Sequence, residues 1–257
     1  MKTSPGRYFL FSILLIAGLI FSSCDREIAG PDENVIPIPI PYPYNSAHFT
    51  FYYTSYDSLS IKVISDSLES KYSKFLSDLL TDSIAMVNVH FYKTHDELAE
   101  AVGFSIPSWA IGLVTAKDQI HMISPKHPDQ VYSYMIVALI HEFAHCITLN
   151  INAAFGNRPR WLWESIALYE AGQFVHPSLL PYMVQHNPPA LAELNSISDT
   201  RIYEVGYLLA EYIIVHWSRQ HLRDLIINNG NIAETLGMTT AEFELDWFSF
   251  VKERYDI

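Results

Sequence analysis

The sequence predicts an α+β fold in which a small N-terminal mixed sheet is followed by a mostly helical C-terminal half. Two patterns predict it. Period-2 apolar alternation is confined to the first half of the chain, and three- and four-residue apolar spacing dominates after residue 131. At 257 residues, 49% apolar and 14% aromatic, the chain has the side chains to build a core. A formal net charge of −12 excludes a nucleic-acid binder working through a broad basic surface, which phosphates require. Two cysteines, Cys24 and Cys146, exclude a disulfide scaffold.

The N-terminus reads as an export signal. Lys2 and Arg7 precede an apolar run, Tyr8–Phe21, broken only by Ser12 and Gly18. The run is shorter than the roughly 20 residues a spanning helix needs. It ends in Leu19-Ile20-Phe21-Ser22-Ser23-Cys24, which resembles a bacterial lipoprotein signal. That resemblance implies a signal peptide over 1–23 and a lipid on Cys24. The protein would then be anchored to a membrane of the cell envelope and face the periplasm or the exterior. Ordinary secretion with an incidental cysteine, or a retained membrane segment, are the competing readings. With Cys24 acylated, Cys146 has no disulfide partner, and its place in an apolar run makes it a small buried hydrophobe. Residues 24–47 read as a linker, because Pro37, Pro39, Pro41 and Pro43 alternate with Ile or Tyr and admit neither helix nor central strand. Its apolar residues leave two readings open, a free stalk and an arm docked on the domain.

From residue 48 onward the elements follow in order. Ile61, Ile64, Leu68, Tyr72, Phe75 and Leu79 mark an amphipathic helix over 58–80. Ile84–Phe91 alternates as a strand, with Ala85, Val87, Val89 and Phe91 on one face. Thr94, with Glu97 three residues later, caps a short helix that runs through Ala101 and ends at Gly103. Trp109–Val114 reads equally as strand or loop, and Gln119–Ile123 as a second strand. Pro125 and Pro128 break the chain before a long apolar helix, Val131–Asn150. Further helices fit Leu162–Ala171, Tyr203–Trp217, Leu222–Asn228 and Ala241–Arg254, the last preceded by a capping pair, Thr239 and Glu242. There is no internal repeat and no second domain boundary.

The chemistry is concentrated in His141-Glu142-Phe143-Ala144-His145. Histidines four apart on a helix project from one face, one turn above the other, so their nitrogens can reach one metal. Glu142 leaves the axis at another angle, free to act on a water. The flanks, Met135–Ile140 and Cys146–Leu149, are apolar, so the helix should be buried. Two imidazoles and a carboxylate there are costly unless a metal and hydrogen bonds compensate them. Core histidines without a metal are the plainer alternative. A catalytic zinc needs a third ligand and an open position. Glu164, in Trp161-Leu162-Trp163-Glu164-Ser165, would lie in the first turn of the next helix and within reach. On its residues alone, Glu164 is an acidic residue in an apolar setting, with a place on a solvated face as the alternative.

His141–His145, eighteen intervening residues and then Glu164 resemble the gluzincin zinc metallopeptidases, which include thermolysin and the aminopeptidase group containing leukotriene A4 hydrolase. The nearest likeness is to small bacterial peptidase MA-like domains, over about Ile84 to Trp217. The resemblance implies a thermolysin-like zincin catalytic domain over 48–257, with Zn2+ held by His141, His145 and Glu164 and with Glu142 as general base. Tyr203-Glu204-Val205-Gly206 matches a Tyr-Glu-x-Gly segment whose tyrosine stabilises the oxyanion in the aminopeptidase group. Tyr203 takes that role by resemblance, with packing or substrate contact as alternatives and Tyr207 as the fallback. Where those aminopeptidases carry a glutamate that grips the substrate's amino group, this chain has Trp109–Val114 and no glutamate. The expected function is zinc-dependent hydrolysis of a peptide or protein at the envelope, without nucleic acid. A catalytically silent zinc-binding lipoprotein with an interaction or structural role is the alternative, and a zinc hydrolase acting on a non-protein amide is a third reading.

Overall fold

Strand β1 (Tyr44–Asn45) turns back antiparallel onto β2 (Phe49–Tyr52). The computed structural model describes residues 42–257, so the export signal, Cys24 and most of the expected linker lie outside the described residues. Tyr44 and Asn45, expected as linker, are thus part of the sheet. Helix α1 (Ile61–Asp78) leads to β3 (Val87–Tyr92), which pairs parallel with β2. The strand begins at Val87 and not at Ile84, because the register with β2 opens at Phe49↔Val87 and residues before it have no partner.

Helix α2 (His95–Val102) is capped as its sequence requires, the Thr94 hydroxyl accepting the Glu97 N–H at 3.1 Å. Strands β4 (Gly112–Ala116) and β5 (Gln119–Ile123) form a hairpin, and β5 also pairs parallel with β3. The sheet order is β1-β2-β3-β5-β4, which leaves β4 as an edge. Phe49, Phe51, Val87, Val89, Phe91, Ile120 and Met122 are buried, in the alternation that the pleat imposes.

Helix α3 (Tyr132–Ile151) lies on this sheet. It is apolar and long enough to cross a membrane, with a mean hydropathy of 1.4, yet it packs against α1, β4, β5 and α4 (Arg160–Ala171). Short helices α5 (Pro181–Val184) and α6 (Leu191–Leu194) lead to α7 (Ile202–His216), which packs along α4. Helices α8 (Arg219–Ile227), α9 (Ile232–Leu236) and α10 (Thr240–Tyr255) complete a mostly helical C-terminal half. The capping box expected before α10 is formed, with Thr239 and Glu242 bonding each other's backbone N–H groups.

Gly206 sets the contact between α7 and α4. A Cβ there would lie 2.5 Å from Leu168 Cδ1 and 3.3 Å from the Ser165 Cα, so a side chain would require Leu168 to move and would crowd the α4 backbone. This close approach seats the first turn of α7 beside the first half of α4.

Candidate metal centre

Helix α3 carries His141 and His145 with ring centroids 4.7 Å apart. On another face of the same turns Phe143 is packed between strand and helix, 5.0 Å from Phe49 and 5.7 Å from Phe75. That packing fixes the rotation of α3 and so the direction of both imidazoles. Helix α4 starts at Arg160, earlier than the expected Leu162, which puts Glu164 in its second turn. Glu164 Oε2 lies 3.2 Å from His141 Nε2 and 3.9 Å from His145 Nε2, and all three residues are buried.

These three residues could hold a metal ion, since one donor atom from each lies within 4.8 Å of the others. Bond lengths of about 2.0–2.1 Å at tetrahedral angles place donors about 3.3 Å apart, near the His141–Glu164 spacing of 3.2 Å and somewhat inside the His145–Glu164 spacing of 3.9 Å. Two imidazole nitrogens and a carboxylate oxygen are also a donor set that suits a catalytic site with an open position. The polar burial supports the same fit. Burial disfavours the charged form of His141, but Glu164 reverses this and raises His141 above the usual imidazole range. His145 is driven well below that range by burial and by the His141 charge. His141 Nε2 and Glu164 Oε2 are within hydrogen-bonding distance, so a proton held there would have to leave before a cation could bind.

The two histidines are held differently. His141 Nδ1 is 2.6 Å from Gln173 Oε1. His145 stacks on Trp163 at 4.0 Å and nearly parallel, and its buried Nδ1 has no hydrogen-bond partner. Glu142 turns toward β4, where a Cβ on Gly112 would lie 3.3 Å from its Cγ and 3.1 Å from the Met122 Cβ, so this glycine keeps a tight contact open beside the Glu142 side chain. Burial pushes the Glu142 carboxyl up to about 7, with His141 opposing and Glu164 adding to the shift.

Tyr203, in the first turn of α7, lines the same cleft. Burial and then the Glu164 charge push its phenol up, so it remains a hydrogen-bond donor across the ordinary pH range. The Arg160 guanidinium sits 5.3 Å over its ring, and Trp109 meets it edge-on at 6.1 Å. Arg160 Nη1 donates to the carbonyls of Leu194, Ser196 and Asp199, while its buried Nη2 has no partner. Tyr207 instead packs against Tyr169 and Phe174. Cys146 is fully buried and free, and burial raises its thiol far above the usual range.

The cleft has a volume of about 590 Å³ and is walled by Trp109–Thr115 on one side and by α3, α4 and Tyr203 on the other. Among the described residues, Glu142 and Glu164 are the carboxylates that line it. Strand β4 settles the open reading of Trp109–Val114: the strand begins at Gly112, and the preceding residues form the rim. Gln173 and Arg160 were not singled out by the sequence. Gln173 lies beyond the helix cap with no motif around it, and the one signal at Arg160 is its place directly ahead of Trp161 and Glu164. No protein-family model matches the chain, and a search of curated proteins finds no match either.

Proposed function

We propose that this chain is a zinc metallopeptidase of the gluzincin type, with a thermolysin-like catalytic domain. The observation that carries the reading is the convergence of His141, His145 and Glu164 with Glu142 and Tyr203 on one cleft. Zinc bound by those three residues would supply Lewis acidity to a substrate carbonyl and lower the pKa of a water. Glu142 is the base that takes the water's proton as its oxygen attacks the carbonyl, and it passes the proton to the leaving nitrogen. A base tuned near neutrality suits that exchange, and burial raises Glu142 in that direction. Tyr203 donates its phenolic hydrogen to the charge that develops on the carbonyl oxygen.

The cleft's edge strand does not favour exopeptidase activity set by an amino-terminal anchor. Residues 112–115 at the edge strand read Gly-Leu-Val-Thr and offer no carboxylate to a free amino terminus. We further propose that residues 1–23 direct export and that Cys24 carries a lipid, so the substrate is a peptide or protein at the envelope. Mass spectrometry of the membrane fraction tests this. It should give an acylated Cys24 at the N-terminus, and an unmodified start elsewhere would contradict it.

The enzymatic reading is tested with the full chain, native and Glu142→Gln, on a mixed peptide library with zinc content measured in parallel. The expected result is about one zinc in each, as the ligand set requires, and cleavage only by the native chain. Zinc in both with cleavage in neither would support a silent zinc-binding lipoprotein instead.

A further inference from the structure

We infer that Gln173 is the positioning residue that fixes His141 as a metal ligand, and that its neutral amide keeps the bound ion electrophilic. The inference rests on the metal reading above. Its starting point is the end of α4. Gly172 is in the left-handed region at φ 71, its N–H bonds the Tyr169 carbonyl at 3.1 Å, and the Gln173 N–H bonds the Leu168 carbonyl at 2.8 Å. This paired closure stops the helix and fixes the Gln173 backbone. A Cβ on Gly172 would meet nothing within 4 Å, so its φ, and not crowding, is what calls for glycine. From there the side chain reaches His141 Nδ1 at 2.6 Å.

The proton count then follows from the geometry. His141 Nε2 faces Glu164, so Nε2 is the atom that must offer its lone pair to a metal. Nδ1 therefore carries the hydrogen and donates it to Gln173 Oε1. Reversing the amide would demand a bare Nδ1 and put the hydrogen on Nε2, where it blocks the metal. His145 Nδ1 has no such partner and its ring is held by stacking on Trp163, so among the described residues Gln173 gives the one hydrogen bond to an Nδ1 of the two histidines and orients His141. A carboxylate in the same place would draw the Nδ1 proton and make Nε2 more basic. The metal would bind more tightly, and its charge would be more fully satisfied. An amide orients the ring without that donation.

The test measures Zn2+ affinity of the full chain by competition with a chromogenic chelator, and the absorption spectrum after Co2+ loading. Gln173→Ala should bind Zn2+ about 10–100-fold more weakly and alter the Co2+ spectrum. Gln173→Glu should bind at least as tightly as native but lower kcat with little change in KM. Gln173→Ala within about twofold of native, with an unchanged Co2+ spectrum, would overturn the role of Gln173. Should that chain fail to fold, the isosteric Gln173→Glu decides alone: weaker binding, or an unchanged spectrum and kcat, overturns the proposal. A native chain that binds no metal would overturn the underlying metal reading, which is a separate result.

Discussion

Helix α4 buries two glutamates, Glu164 and Glu170, and the two ends of the helix treat them differently. Glu170 meets fixed cations, Lys74 at 3.1 Å and Arg219 at 3.4 Å, which tie α4 to α1 and α8. Glu164 meets two imidazoles, and Glu142 nearby makes no ion pair with a lysine or arginine among the described residues. Glu211 on α7 repeats the first pattern, with Arg254 and Tyr255 as partners. Where this chain uses a buried carboxylate to join helices, it supplies a permanent cation or a hydroxyl. At the cleft it supplies imidazoles instead, groups that could share a cation from outside. The difference separates a carboxylate paired with fixed cations from one paired with imidazoles that could hold a metal, on one helix and with one residue type.

Exchanging the partners breaks the comparison most sharply. Glu164→Gln should weaken zinc binding by more than about a hundredfold and abolish cleavage, since a ligand contributes more than the groups that orient it. Glu170→Gln should leave zinc affinity as in the native chain, measured by the same chelator competition. Equal losses from both would dissolve the distinction.

Tyr203 and Tyr207 offer a second contrast, one turn apart on α7 and facing the two ends of α4. Tyr203→Phe should lower kcat by about a hundredfold with zinc content unchanged, the loss expected for one oxyanion donor. Tyr207→Phe, packed on Tyr169, should leave kcat near native. A smaller effect is expected from Gly206→Ala, whose Cβ forces Leu168 to shift and crowds the Ser165 backbone. Urea unfolding should show a loss of roughly 1–3 kcal/mol.

A comparable effect on stability concerns pH. Burial pushes Glu170 up to about 7, against the pull of Lys74 and with Asp78 adding to it, from an ordinary value of 4.5. The folded chain therefore takes up a proton at Glu170 between those values. Stability is highest below the lower one and falls as pH rises through the window. The stability of native protein minus that of Glu170→Gln should decline by up to roughly 3 kcal/mol from pH 4.5 to 7 in urea titrations. A flat difference would show that Lys74 and Arg219 fully compensate the burial.

How much of this was legible in the sequence depended on the range of the interactions. His141 and His145 are neighbours through helical geometry alone, so their convergence was readable. So were the Thr94 and Thr239 caps, which involve residues three apart. The strand Gln119–Ile123 was found at its observed bounds because alternation and flanking turns agree. Strand β1 was not, since proline and tyrosine alternate into it as in an extended linker and only its partner strand decides, and β2 was not legible either. Strand β4 was ambiguous for the same reason. Gln173 and Arg160 act across 32 and 34 or more residues, and no local pattern marks them. Glu164 lies between the cases: its distance from His141 needed a fold, and the motif resemblance supplied one.

The most direct test of the central claim is a crystal structure of the zinc-soaked full chain with data at the zinc absorption edge. One anomalous peak should appear, bonded to His141 Nε2, His145 Nε2 and a Glu164 carboxylate oxygen, with Glu142 near it but not bonded. No peak at that position, or an ion held by other residues, would contradict the assignment of this cleft as a metal centre.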